Sequence, residues 1–174
     1  FMKNITLFSS ATRLLFCAIC LALLSTTTTF AQSADDYIKQ AKEAPYKSKE
    51  RFDLYMKAAE LGNAEAMYEV GESYNYGEGV QEDYKMAEKY YLSAAYKGYG
   101  RAYLPLALLY QYSLDNKNEA IYWFKKYVDY AYAETGEPSH AALNSLRELG
   151  VYYHPGDNSA SSNPQQTQTQ TQTQ

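Results

Sequence analysis

Between Ala64 and Gly100 small and apolar residues recur among polar ones at helical spacing. Ala66, Met67, Val70, Gly71 and Tyr74 fall at i, i+1, i+4, i+5 and i+8, which is one stripe of a 3.6-residue helix. A second stripe, Ala87, Tyr91, Ala94 and Ala95, predicts a helix from about Tyr84 to Lys97. Asp83 is placed to cap its N-terminus and Gly98 to end it. We refer to these as A-type and B-type helices. Gly71 costs about 1 kcal/mol relative to alanine inside a helix, so it marks a place where a neighbour comes too close for a larger side chain. Ala107 and Gly150, at the equivalent places, carry the same implication.

The two-helix pattern repeats. Ala58, Ala59 and Gly62 return 36 residues later as Ala94, Ala95 and Gly98, and Ala66 and Tyr74 return as Ala102 and Tyr110. A period in the thirties is that of stacked helix pairs. A looser third copy places Leu149, Gly150, Tyr153 and Gly156 where Val70, Gly71, Tyr74 and Gly77 stand in the first.

The flanking segments read as further helices. From Ser33 to Glu43 a polar helix carries Tyr37, Ile38 and Ala41 on one side, with a Ser33/Asp36 cap and Pro45 as its stop. Ser48 to Leu61 is B-type, closed by Gly62, and Asn63 caps the central A helix. Arg101 to Tyr112 is the second A helix, in which Pro105 demands a kink or a first turn that is not α-helical. The next B helix, Lys117 to Ala133, has a capping box in Asn116 and Glu119 and is followed by an irregular insert, Glu134 to Glu137. Pro138 opens a last helix to about Val151. The expectation is an all-α chain, an α-solenoid of stacked antiparallel helix pairs over residues 32–156, with three pairs and a fragment.

These residues resemble the Sel-one-like repeat, a branch of the tetratricopeptide-like superfamily. Its pattern is met by Ala66, Gly71, Tyr74, Gly77, Gly79, Val80, Asp83, Ala87, Tyr90, Tyr91, Ala94, Ala95 and Gly98, while Val70 and Met86 stand where Leu and Lys are usual. The second unit lacks the G-x-GV loop and has Tyr127 and Val128 where paired alanines belong. The resemblance implies a protein-interaction scaffold, not a shared reaction.

The ends differ from the middle. Residues 1–31 read as a secretory signal peptide, with Lys3 and Arg13 for positive charge, an apolar run from Leu14 to Leu24, and Thr-Phe-Ala before Gln32 as a cleavage site. That address is export to the periplasm or the exterior of a bacterial cell, with no stable membrane span after cleavage; an uncleaved anchor is the competing reading, against which eleven apolar residues fall short of the roughly 20 that a span needs. Residues 157–174, rich in Ser, Thr and Gln, lack the apolar side chains that ordering requires. Both cysteines, Cys17 and Cys20, lie in the signal segment, so the mature chain relies on helix packing without disulfides. Loss of Lys3 and Arg13 takes the formal net charge from −4 to −6, which disfavours nucleic acid and anionic membrane as partners.

Reactive constellations are sparse. His140 and His154 are too far apart for a metal-ligand pair on adjacent helical turns, and neither metal nor cofactor is expected. Ser139 beside His140 is a sequence neighbour, not a nucleophile with its base. Gly77-Glu78-Gly79 follows a helix and lacks the Lys-Ser/Thr of a phosphate loop. Asp83 beside Glu82 is needed as a cap. The reading is therefore no enzyme.

Tyrosine is the conspicuous residue, 20 in all, none before residue 37. Tyr74, Tyr91, Tyr110 and Tyr153 occupy family core positions. Glu65, Tyr68, Glu69, Glu72 and Tyr76 on the first A helix, and Arg101, Leu104, Pro105, Leu108 and Tyr112 on the second, point away from the core stripe. In tetratricopeptide-like solenoids the A helices line a concave groove. The candidate partner surface is thus Glu65, Tyr68, Glu72, Tyr76, Arg101, Leu104, Leu108 and Tyr112, for a protein or peptide not identified by sequence. Two alternatives stand beside it: a glycan-binding or cell-wall-active protein using groove tyrosines and glutamates, and a structural component self-associating through the solenoid ends.

Overall fold

A computed structural model describes residues 32–156 of the chain. The expected signal peptide, apart from its boundary at Gln32, and the expected C-terminal tail lie outside the described residues. Among these, seven α-helices and one 3₁₀ turn follow one another with no strand. The helices are α1 (Ala34–Glu43), α2 (Lys49–Glu60), α3 (Ala64–Tyr76), α4 (Tyr84–Tyr96), α5 (Tyr103–Tyr112), α6 (Lys117–Thr135) and α7 (His140–Glu148), with the 3₁₀ turn at Gly100–Ala102 before α5. Each helix packs chiefly on its neighbours in sequence. The chain is an all-helical solenoid, as the pattern implies.

Local chemistry accounts for the helix starts. Ser33 and Asp36 form the reciprocal capping box at α1. Ser48, Asn63 and Asp83 accept first-turn backbone N–H groups at α2, α3 and α4. At α6 only half of the expected box forms: Asn116 accepts from the Glu119 N–H at 3.3 Å. The Glu119 carboxylate turns inward instead and accepts from Trp123 Nε1 at 3.2 Å.

Pro105 acts as expected. It sits in the first turn of α5, where backbone N–H groups have no partner within the helix, and the preceding turn is 3₁₀. Two expectations need correction. α6 continues through Glu134 and Thr135 before Gly136 ends it, so the irregular insert is shorter than expected. Pro138 precedes the Ser139 N-cap of α7 and is not its first helical residue.

The third copy is also corrected. Gly150 follows α7 with φ +79° and nothing crowds its Cα, so it ends a helix, unlike Gly71 inside α3. Beyond it the chain is irregular, and Tyr153 is buried with its hydroxyl donating to Asp129 at 2.7 Å. The Gly156 N–H donates to the other oxygen of Asp129 at 2.9 Å. Residues that imitate a repeat in sequence tie the chain back onto α6.

The core has two parts. Ile38, Ala41, Phe52, Tyr55, Ala58, Ala59, Ala66 and Val70 form one across α1–α3, and Tyr91, Leu106, Tyr110, Trp123, Phe124 and Leu146 centre the other across α4–α7. Met67 and Tyr74 touch both. Small residues on the repeat faces let large rings fill the space between helices. The G-x-G loop joins successive pairs: a Cβ on Gly79, whose φ is +74°, would stand 2.4 Å from the Ser48 carbonyl oxygen. Loop and α2 N-terminus touch backbone to backbone.

Candidate functional site

Ser48 also lines a cleft of about 200 Å³ between α2 and α3. Its α3 wall is the outward face of the central A helix, Tyr68, Glu69, Glu72, Ser73 and Tyr76. Opposite stand Arg51, Phe52 and Tyr55 of α2, with Tyr46, Lys47 and Ser48 from the loop before it. Glu78 and Arg101 complete the edge.

The floor is acidic. Glu69 and Glu72 are half-buried, and desolvation is the main cause that holds both carboxyl groups above their ordinary 4.5. The Tyr91 hydroxyl donates to Glu72 from α4, which pulls the other way without cancelling the burial. Burial and the Glu72 charge push the Tyr91 and Tyr68 hydroxyls upward, so both stay protonated donors at neutral pH. The Ser73 hydroxyl donates to the Glu69 backbone carbonyl at 2.9 Å, not to its carboxylate.

The rim is basic, and its cations lie on rings. The Arg101 guanidinium sits 5.9 Å from the Tyr68 ring centre. Arg51 sits 5.5 Å from each of the Tyr46 and Tyr55 rings and donates to the Tyr55 hydroxyl at 3.4 Å. Lys47 is paired with Glu78 at 2.9 Å.

Of the residues singled out by sequence, the structure brings Tyr68, Glu72, Tyr76 and Arg101 together in this cleft. Glu65 lies elsewhere, paired with Lys42 at 2.8 Å beside a shallow depression on α1. Leu104 packs against the larger core cluster, so it does not extend an open apolar patch. Leu108 and Tyr112 are 36% and 70% exposed on α5 and line none of the cleft. The cleft is not walled by A helices alone: α2, a B-type helix, supplies its opposite side. Arg51, Tyr46 and Tyr55 belong to α2 and the loop before it, outside the A-helix faces that carry the candidate surface in sequence. The Arg51/Tyr55 pair, one turn apart, was the available signal.

Among the described residues no group of three or more His, Cys, Asp or Glu is arranged to hold a metal ion, and no helix is long and apolar enough to cross a membrane.

Residues 64–99 and 101–126 match the Sel1 repeat. An uncharacterized protein of Neisseria meningitidis serogroup B is 37% identical over 99 residues, which is 57% of this chain and 20% of the relative. The chain therefore spans about a fifth of that protein's length. The crystal structure of a Sel1 repeat protein from Oxalobacter formigenes superposes with a TM-score of 0.54 at 27% identity, covering 72% of this chain and 54% of that one.

Proposed function

We propose that this chain, whose residues 64–99 and 101–126 match the Sel1 repeat, is an exported, non-catalytic adaptor whose α2–α3 cleft receives a segment of another protein. The match to the Sel1 repeat, a helical interaction module, supports the general role. The observation that carries the choice of surface is the cleft itself. It joins aromatic rings, half-buried carboxylates and ring-stacked guanidinium groups on two helices, of which α3 lies within the matched residues and α2 precedes them. Aromatic residues and arginine are the types that dominate protein interfaces. Export rests on residues 2–31, with their positive start, apolar run and small residues before Gln32.

Tyr76 and Arg101 are exposed rim residues, so removing both side chains tests the cleft without touching the core. Chains of residues 32–174, native and Tyr76→Ala/Arg101→Ala, would be cross-linked in a native envelope fraction. A protein captured by the first and lost by the second supports the adaptor. Equal capture by both moves the interface elsewhere, for example to Leu108 and Tyr112.

A saccharide reading has one observation of its own, the four tyrosines 46, 55, 68 and 76 around the cleft, since sugars stack on such rings. Retention of the native chain on a polysaccharide column, with no protein captured, would favour it.

A further inference from the structure

The cleft is graded in charge, and the gradient specifies its guest. At the floor, the Glu72 carboxylate is fixed from behind by the Tyr91 hydroxyl. Among the described residues no hydrogen-bond donor or ion-pair partner reaches the Glu69 carboxylate, although the residue is half-buried. At the rim, Arg51 and Arg101 are held on tyrosine rings, and neither forms an ion pair among the described residues. The cleft's own cations act on Glu69 only through space and, among the described residues, make no direct ion pair with its floor.

Accepting the reading above that the cleft receives a polypeptide, we propose that the residue it takes is a single lysine flanked in its own chain by acidic side chains. The lysine stem lies along the rings of Tyr68 and Tyr76, and its ammonium reaches Glu69 and Glu72. The neighbouring carboxylates of the guest meet Arg51 and Arg101, whose planar guanidinium groups suit carboxylate geometry. A tract of consecutive basic residues is disfavoured, because its flanking charges meet the rim arginines. The volume of about 200 Å³ admits one long side chain rather than a whole helix face.

The test is a titration of the isotopically labelled chain, residues 32–174, followed by amide NMR. The probes are three capped pentapeptides, Glu-Gly-Lys-Gly-Glu, Glu-Gly-norleucine-Gly-Glu and Lys-Gly-Lys-Gly-Lys. The first should shift the amides of Glu69, Glu72 and Ser73, while the other two bind about tenfold more weakly. Glu69→Gln/Glu72→Gln should lose about tenfold for the first peptide, with shifts elsewhere unchanged to show that the fold is kept. Arg101→Ala should narrow the gap between the acidic-flanked and polybasic peptides. Equal binding of the norleucine peptide, or stronger binding of the polybasic one, overturns the lysine inference and leaves a polypeptide cleft. No cleft shift with any peptide overturns the inference, and if an N-acetylglucosamine oligomer then shifts the same amides, the polypeptide reading falls with it.

Discussion

The ring of Tyr91 lies directly on Gly71: a Cβ added to that glycine would stand 2.6 Å from Cδ1 and 2.7 Å from Cε1. The close approach places the Tyr91 hydroxyl on Glu72, one residue along α3, so packing of the helix pair and the polarity of the cleft floor are set by the same ring.

Gly71→Ala gains about 1 kcal/mol of helix propensity and loses more to overpacking, typically about 1–3 kcal/mol and here at the upper end because the clash is with a fully buried ring body. Net destabilisation of about 1–2 kcal/mol is expected by denaturant titration. An alanine variant as stable as the native chain would show that Tyr91 can withdraw freely.

Gly79→Ala should cost more. Its φ of +74° strains an L-residue, and the new Cβ would meet the Ser48 backbone at 2.4 Å, where no side chain can rotate away. A loss of about 2–4 kcal/mol is expected, with shifted amide resonances at Lys47 and Ser48 on the cleft wall. Loss of stability without any change at those amides would mean that the loop moves alone.

Leu104 and Leu108, one turn apart, should separate in their effects. Leu104 packs against the core, so Leu104→Ser should lower stability by about 2–3 kcal/mol. Leu108 is 36% exposed, and Leu108→Ser should stay within about 1 kcal/mol of the native value. Thermal melts of the two single variants settle this, and equal losses would place both side chains in the core.

Acidification should stabilise the chain through its cleft. Burial raises the Glu69 and Glu72 carboxyl groups above the ordinary 4.5 in the folded state. A raised carboxyl binds its proton more readily folded than unfolded, so its contribution favours folding at low pH and is lost as pH rises from the unfolded value through the folded one. Buried Glu119 acts in the same sense. As pH falls from neutral toward 4.5 the melting temperature should rise, and Glu69→Gln/Glu72→Gln should flatten that slope. An identical slope in the variant would assign the pH response to other groups.

Much of the fold was legible in local sequence. The caps at Ser33, Asn63 and Asp83, the glycine stops and the irregular turn before Pro105 each depend on residues a few positions apart, where backbone sterics and hydrogen bonding decide. The 36-residue echo of Ala58, Ala59 and Gly62 likewise identified the stacked pairs. One wall of the cleft is legible from the helical periodicity of α3, because Tyr68, Glu72 and Tyr76 share the face opposite its core stripe.

Tertiary packing decided the rest. Whether Leu104 faces the core, whether α2 supplies the second wall, and whether Glu119 caps its helix or turns toward Trp123 all depend on how neighbouring helices are rotated. Gly150 matches the repeat in sequence and ends a helix in space, since a motif records residue types and not what lies beside them. Arg51 and Arg101, fifty residues apart, reach one cleft only because successive helix pairs stack. The short-range code therefore specified the units, and packing between units made the site.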